Sequence, residues 1–309
     1  MSIVEKAAEK LKALQPEPVA QSERAPSAYF EPVAAGTPTT IERLPERARE
    51  VAPPPAETEP PCHIDSGVLR RAGLLPVDEE ANDRLADELR RVKRPLLDNV
   101  TGKGVRPVTH PERIVVSSAA PGEGKTFTAV NLALSLARDP DFEVLLVDGD
   151  VPKGDITRTF GLEDRPGLMD VLVDESRRPA DVIMRTDVPN LLVVPTGRKN
   201  ALVAELFGSL RMQYVLEELG GRSRRRLVVF DSSPLLATSE SQVLASHMGQ
   251  VVVVVAARRT HRHALASALE SMNDSQYVGL ILNMSRLPAS ENHYDRYYGR
   301  YARDNEGEA

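Results

Sequence analysis

Six short apolar runs, each separated from the next by a helical stretch, constrain this chain more than any other feature. They are Ile114–Val116, Val144–Val147, Leu191–Val194, Leu227–Phe230, Val251–Val255 and Val278–Leu282. They are rich in β-branched residues, and runs this short with no polar alternation belong to strands covered on both faces. Strand and helix alternating along one chain make βαβ units. The pattern predicts an α/β fold: a mostly parallel sheet with helices on both faces. Aromatics make up 4% of the chain and Trp is absent, so the core has to be built from Val, Leu, Ile and Ala.

Between the first run and a helix expected from Phe127 to Arg138 lies Ala119-Ala120-Pro121-Gly122-Glu123-Gly124-Lys125-Thr126. It matches the phosphate-binding loop of P-loop NTPases, with Ala119 where the first Gly usually stands. Small residues let consecutive backbone N–H groups point at phosphate oxygens, and the helix start adds favourable polarity. The nucleotide-binding candidates are Ala120, Pro121, Gly122, Glu123, Gly124, Lys125, Thr126 and Phe127, with Asn283, at the end of the last strand, proposed for the base. Lys125 would reach the β- and γ-phosphates and Thr126 would hold Mg²⁺.

Two apolar runs end in acid: Val147 leads into Asp148-Gly149-Asp150, and Phe230 into Asp231-Ser232-Ser233-Pro234. Ligands of open α/β sheets gather at the carboxyl ends of the strands. Carboxylates there can hold a metal that bridges phosphates, or take a proton from a nucleophile. A lone Asp after a strand is an ordinary turn residue; two beside a phosphate loop are not. The metal candidates are Thr126, Asp148 and Asp231. The catalytic candidates are Lys125, Asp148, Asp150 and Asp231, with either Asp148 or Asp150 as the base.

The flanks differ in composition. Residues 1–15 form an amphipathic pattern, with Ile3, Val4, Ala7, Ala8, Leu11 and Leu14 on one face. Eleven of the 24 prolines fall within residues 16–61, and residues 16–76 read as a disordered Pro-rich linker. The P-loop domain is expected over 77–285, opening with a helix over Glu79–Leu97 that stops around Pro95. On that helix Glu88, Arg91 and Arg94 share a face, as an assembly surface or a solvated one. A polar tail occupies 286–309, where Tyr294, Tyr297, Tyr298 and Tyr301 are four of the chain's seven tyrosines. With no Leu, Ile or Val beside them to form a core, they read as accessible hydroxyls or as an aromatic interaction patch.

A formal net charge of −6 argues against nucleic-acid binding. A single cysteine, Cys62, excludes an internal disulfide and any CxxC site. The longest wholly apolar run, Val251–Ala257, is too short to span a bilayer. A cytoplasmic protein, recruited to the inner face of the membrane through a partner, is the expectation.

These motifs resemble the bacterial tyrosine kinases, or BY-kinases, from about Arg113 to the C-terminus. That family pairs a PGEGK-type loop with a strand ending in DxD and another ending in DxxP, which look like Pro121–Thr126, Asp148–Asp150 and Asp231–Pro234 here. A terminal tyrosine cluster completes the resemblance, and Glu88, Arg91 and Arg94 resemble the motif that joins its subunits into a ring. The N-terminal pattern and Arg94-Pro95-Leu96-Leu97 are similar to the subfamily encoded with exopolysaccharide and exosortase loci. Two departures stand out. Pro152 occupies a position where many members carry Arg, with Lys153 as the candidate substitute, and Ser232 and Ser233 replace the usual Thr and Pro.

The resemblance implies an ATP- and Mg²⁺-dependent protein-tyrosine autokinase, with Tyr294, Tyr297, Tyr298 and Tyr301 as phosphorylation sites and a role in exopolysaccharide polymerisation or export. It implies self-assembly, a membrane chain-length or copolymerase protein as activator, and a cognate tyrosine phosphatase. The alternative is a Min/Par-type switch ATPase, but those proteins carry a second Lys where this chain has Ala120.

Overall fold

The computed structural model of the chain describes residues 61–75, 79–221, 225–273 and 275–285. The N-terminal amphipathic pattern, the linker up to residue 60 and the four tail tyrosines lie outside them. All six apolar runs are strands: β1 (Arg113–Ser118), β2 (Glu143–Asp148), β4 (Leu191–Val194), β5 (Arg226–Asp231), β6 (Gln250–Ala256) and β7 (Tyr277–Asn283). A two-residue strand, β3 (Met184–Arg185), pairs antiparallel with β4. The sheet order is β3-β4-β2-β5-β1-β6-β7, and every other pairing is parallel.

Side chains that alternate along the strands feed two separate cores. Val115, Leu145, Val147, Val228, Phe230, Val251 and Val253 pack on one face. They meet α5 (Leu168–Val173), α6 (Val203–Phe207), α7 (Leu210–Gly220), α8 (Ser239–Ser246) and α9 (Arg262–Glu270). Ile114, Val116, Val144, Leu146, Leu227, Val229, Val252 and Val254 pack on the other. Their neighbours are α1 (Ser66–Arg71), α2 (Glu79–Val100), α3 (Lys125–Ala137) and α4 (Asp155–Thr159). This is the mostly parallel, two-faced sheet that the apolar runs predict. The interior is aliphatic, with Phe207 and Phe230 the two aromatic rings among its largest fully buried side chains.

Two expectations fail. Residues 61–75 are not linker. Cys62 pairs with Thr186 beside β3, Asp65 caps α1 by accepting from Gly67 and Val68 N–H at 2.6 and 3.2 Å, and Leu69 and Leu74 are buried. The Leu74 carbonyl also accepts from Asn131 Nδ2 of α3 at 2.7 Å. One six-residue helix offers too few apolar positions to show a period, so the surrounding prolines dominated the pattern. Likewise, α2 does not stop at Pro95 but runs through it to Val100. An interior proline removes one helical bond and costs about 3 kcal/mol. Burial of Leu89 and Leu96 beside α3 offsets that cost, as does a bond from Lys93 Nζ to Ser135 O at 3.0 Å.

If α1 belongs to the core, Leu69→Ala should lower stability by about 2–5 kcal/mol, read from the midpoint of urea unfolding. An unchanged midpoint would return residues 61–75 to the linker.

Candidate functional site

The loop between β1 and α3 is shaped by glycines where the backbone demands them. Gly122 and Gly124 have φ of 78° and 93°, a region that L side chains rarely enter. A Cβ on Gly124 would also fall 2.1 Å from Asn283 Nδ2. Among the described residues, the N–H groups of Gly122, Glu123 and Gly124 donate to no protein acceptor. Three free amides lead into the start of a thirteen-residue helix, where the first N–H groups also lack helical partners. Such a nest receives anions.

Lys125 is buried among acids. Its Nζ stands 2.6 Å from Asp150 Oδ2, and 3.4 Å from the Thr126 hydroxyl. Burial works against its charge, yet Asp231 and Asp150 together hold the ammonium above the ordinary lysine value. The other oxygen of Asp150 accepts from Ser233 Oγ at 2.8 Å.

The two strand-end acids lie side by side, because the parallel register of β2 and β5 sets Asp148 opposite Asp231. Asp148 Oδ2 accepts from both the N–H and the hydroxyl of Thr157, at 2.8 and 2.7 Å, while its Oδ1 has no hydrogen-bond partner among the described residues. Asp231 is fully buried, and neither of its oxygens meets a partner of good geometry among those residues. Burial pushes its carboxyl up to about 8, against the pull of Lys125, and the nearby Asp148 adds to the rise. Burial lifts Asp148 to about 6, although the Thr157 bonds favour its charged form.

Buried acceptors without donors are costly, and here they cluster beside an anion nest. That donor set suits Mg²⁺, which takes one or two carboxylates and fills its octahedron with water and phosphate oxygens. Among the described residues no three His, Cys, Asp or Glu side chains are grouped to hold a metal. An all-protein cage is therefore not what these residues build; a hard cation shared with phosphates fits them.

The structure thus brings Lys125, Thr126, Asp148, Asp150 and Asp231 together at one end of the sheet. Asn283 is there too, but its Nδ2 donates to Glu123 O at 2.9 Å, so in this structure it braces the loop. Lys153 has an exposed side chain, and its backbone N–H donates to Asp150 O at 3.0 Å. Glu88, Arg91 and Arg94 are all exposed on α2, away from buried Leu89 and Leu96. Sequence reasoning gives no site role to Thr157, Ser233, Arg259 and Thr260, which orient the acids and the loop. Only contacts between distant segments single them out.

The AAA-domain family matches residues 112–277. Tyrosine-protein kinase YwqD of Bacillus subtilis is 31% identical over 188 residues, which cover 60% of this chain and 77% of YwqD. EpsB of Ralstonia nicotianae is 32% identical over 193 residues, so the chain is matched over 61% of its own length but spans only 25% of EpsB. Among solved structures, the VpsO kinase domain superposes with a TM-score of 0.56 at 28% identity, covering 68% of this chain and 98% of that domain. The BceF tyrosine kinase domain gives 0.52 at 27% identity over 64% of this chain and 76% of its own.

The buried acids impose a pH dependence. Folded Asp231 keeps its proton to about pH 8, whereas a free aspartate releases it near 3.8. Between those limits the folded state binds more protons than the unfolded, so stability falls as pH rises. Without nucleotide or metal, Tm should drop from about pH 5 to about pH 8, and Asp231→Asn should remove most of that slope. Thermal denaturation across the window checks it; a flat or rising wild-type curve would contradict the burial argument.

Proposed function

The chain belongs to the bacterial tyrosine kinases of the AAA-domain family, and from that premise we propose that it phosphorylates its own C-terminal tyrosines with Mg-ATP. The observation that carries this reading is the meeting of one buried lysine with Asp150 and the two strand-end aspartates, Asp148 and Asp231, at the mouth of a phosphate loop. Phosphoryl transfer asks a protein mainly for positioning and for neutralising charge.

In this reading the free amides of Gly122, Glu123 and Gly124 cradle phosphate oxygens, and Lys125 leaves Asp150 to neutralise the β- and γ-phosphates. Thr126, Asp148 and Asp231 would hold Mg²⁺, which when bound supplies further neutralisation of the phosphate charge. Asp148 is committed to Thr157 on one oxygen, and the other, without a partner among the described residues, would be the one offered to the metal. Asp150, released by Lys125, is then the group left to orient the tyrosine hydroxyl and accept its proton. The tyrosine oxygen forms a bond to the γ-phosphorus as the bond from that phosphorus to the β–γ bridging oxygen breaks, and ADP leaves with the electron pair. Asn283 and the loop residues Ala120, Pro121 and Phe127 shape the nucleotide site around these groups.

The start of the tail supports self-modification. A Cβ on Gly124 would lie 3.9 Å from Met284 Cε, so the chain leaves β7 beside the loop. The ten residues from there to Tyr294 can span at most roughly 33–36 Å, a reach that would serve its own site or a neighbour's. Exposed Glu88, Arg91 and Arg94 supply the assembly surface for transfer between subunits. Among the described residues no helix is long and apolar enough to cross a membrane; a membrane copolymerase would be the activating partner. A cognate phosphatase would reset the tail, and exopolysaccharide polymerisation or export is the process such a cycle would serve.

Lys125→Ala should keep the circular dichroism of the wild type and lower phosphotyrosine formation by about a hundredfold or more. Replacing Tyr294, Tyr297, Tyr298 and Tyr301 with Phe should preserve ATP binding while nearly all phosphotyrosine disappears from mass spectra. A folded Lys125→Ala protein with normal autophosphorylation would sink the mechanism. A wild type that binds ATP yet never carries tail phosphate, even beside its membrane partner, would point to a Min/Par-type switch. Arg91→Glu with Arg94→Glu should shift the assembly towards monomer in light scattering; unchanged mass would mark a solvated face.

A further inference from the structure

Glu123 is 3% exposed inside a loop built to receive phosphates. A carboxylate there repels the anions that Lys125 attracts, so its presence calls for a physical reason. Its side chain is fully engaged. Oε2 accepts the Ala120 N–H at 2.9 Å, and Oε1 accepts the Thr260 hydroxyl. Thr260 Oγ1 itself accepts the Ala256 N–H at 2.8 Å, which leaves the hydroxyl's own proton for Glu123. The Glu123 carbonyl takes the bond from Asn283 Nδ2 at 2.9 Å, and Arg259 Nη1 reaches Gly122 O at 3.3 Å.

These tethers come from the turn between β6 and α9 and from the end of β7. That turn is itself constrained, since Arg258 is held at φ 63°, a conformation costly for a residue with a long side chain. On the opposite side, Lys125 on Asp150 joins the loop to the acids, and phosphates that draw Lys125 away would break that contact. The Glu123 tether is independent of Lys125. Inside the loop, it consumes the Ala120 amide and closes the arch, leaving the three amides from Gly122 to Gly124 free.

We propose that Glu123 is a positioning residue that, with Thr260, latches the phosphate loop in its receiving shape and makes nucleotide affinity depend on the β6–α9 turn. The proposal rests on the nucleotide-binding part of the preceding reading and not on the identity of the phosphoryl acceptor.

Binding of a fluorescent ATP analogue, mant-ATP, to the full chain with Mg²⁺ tests it. Thr260→Val should raise Kd about tenfold, the loss of one charge-assisted hydrogen bond, while Thr260→Ser, which keeps the hydroxyl, should bind like the wild type. Glu123→Ala should weaken binding at least as much, with Glu123→Gln rescuing part of the loss. The double variant Glu123→Ala/Thr260→Val should be no weaker than Glu123→Ala alone, because both remove one coupled contact. Nucleotide-free Tm is measured alongside, and the Thr260 pair decides the matter if Glu123→Ala does not fold. Unchanged affinity in Thr260→Val, equal losses in Thr260→Ser and Thr260→Val, strictly additive losses, or a wild type that does not bind mant-ATP would each overturn the latch. A wild type that binds mant-ATP but forms no phosphotyrosine would strike the kinase reading and leave the latch standing.

Discussion

One ammonium among three buried carboxylates is the interaction on which the rest of the site depends. Asp148, Asp150 and Asp231 are each 2% exposed or less, and burial disfavours the charged forms of Asp148 and Asp231. Lys125 is the cation set directly against them, 2.6 Å from Asp150 and electrostatically coupled to Asp231. The arrangement is under-neutralised, as the raised carboxyls of Asp148 and Asp231 record. An isolated fold would gain by discarding one of these acids. A protein that must gather a divalent cation and a polyanion gains by keeping them, since both ligands relieve charge that is already placed.

The sheet makes this placement possible. Parallel strands carry their carboxyl ends to one edge, so Asp148 and Asp231, 83 residues apart in the chain, become neighbours by register alone. The loop after β1 enters between β5 and β6. It is therefore held from two sides, by Asp150 after β2, through Lys125, and by the turn after β6 with the end of β7. Rigid strands fix both sets of contacts, while the loop keeps its own amides unspent.

Much of this is legible in the sequence. The six strands, the phosphate loop and the strand-end acids follow from patterns of adjacent residues, and each lies where those patterns put it. Two elements depart from their local signals. Helix α1 is too short to display a period and is flanked by prolines. Helix α2 continues past Pro95 because buried Leu96 and the Lys93–Ser135 bond outweigh a local stop signal. Burial of one helix face against another is not written in the residues of that face alone.

By itself, the sequence determined which residues could do chemistry: glycines where φ must be positive, a lysine and threonine at a helix start, and aspartates at the ends of apolar runs. Those requirements are local, set by backbone sterics and by side-chain functional groups. Only the tertiary structure decided how the groups are paired. It put Asp150 on Lys125 and Ser233, Thr157 on Asp148, and Thr260 and Asn283 on Glu123. Hydrogen bonds act over about 3 Å, and partners from 9 to 160 residues apart in the chain come within that range only when the sheet has set their strands in register.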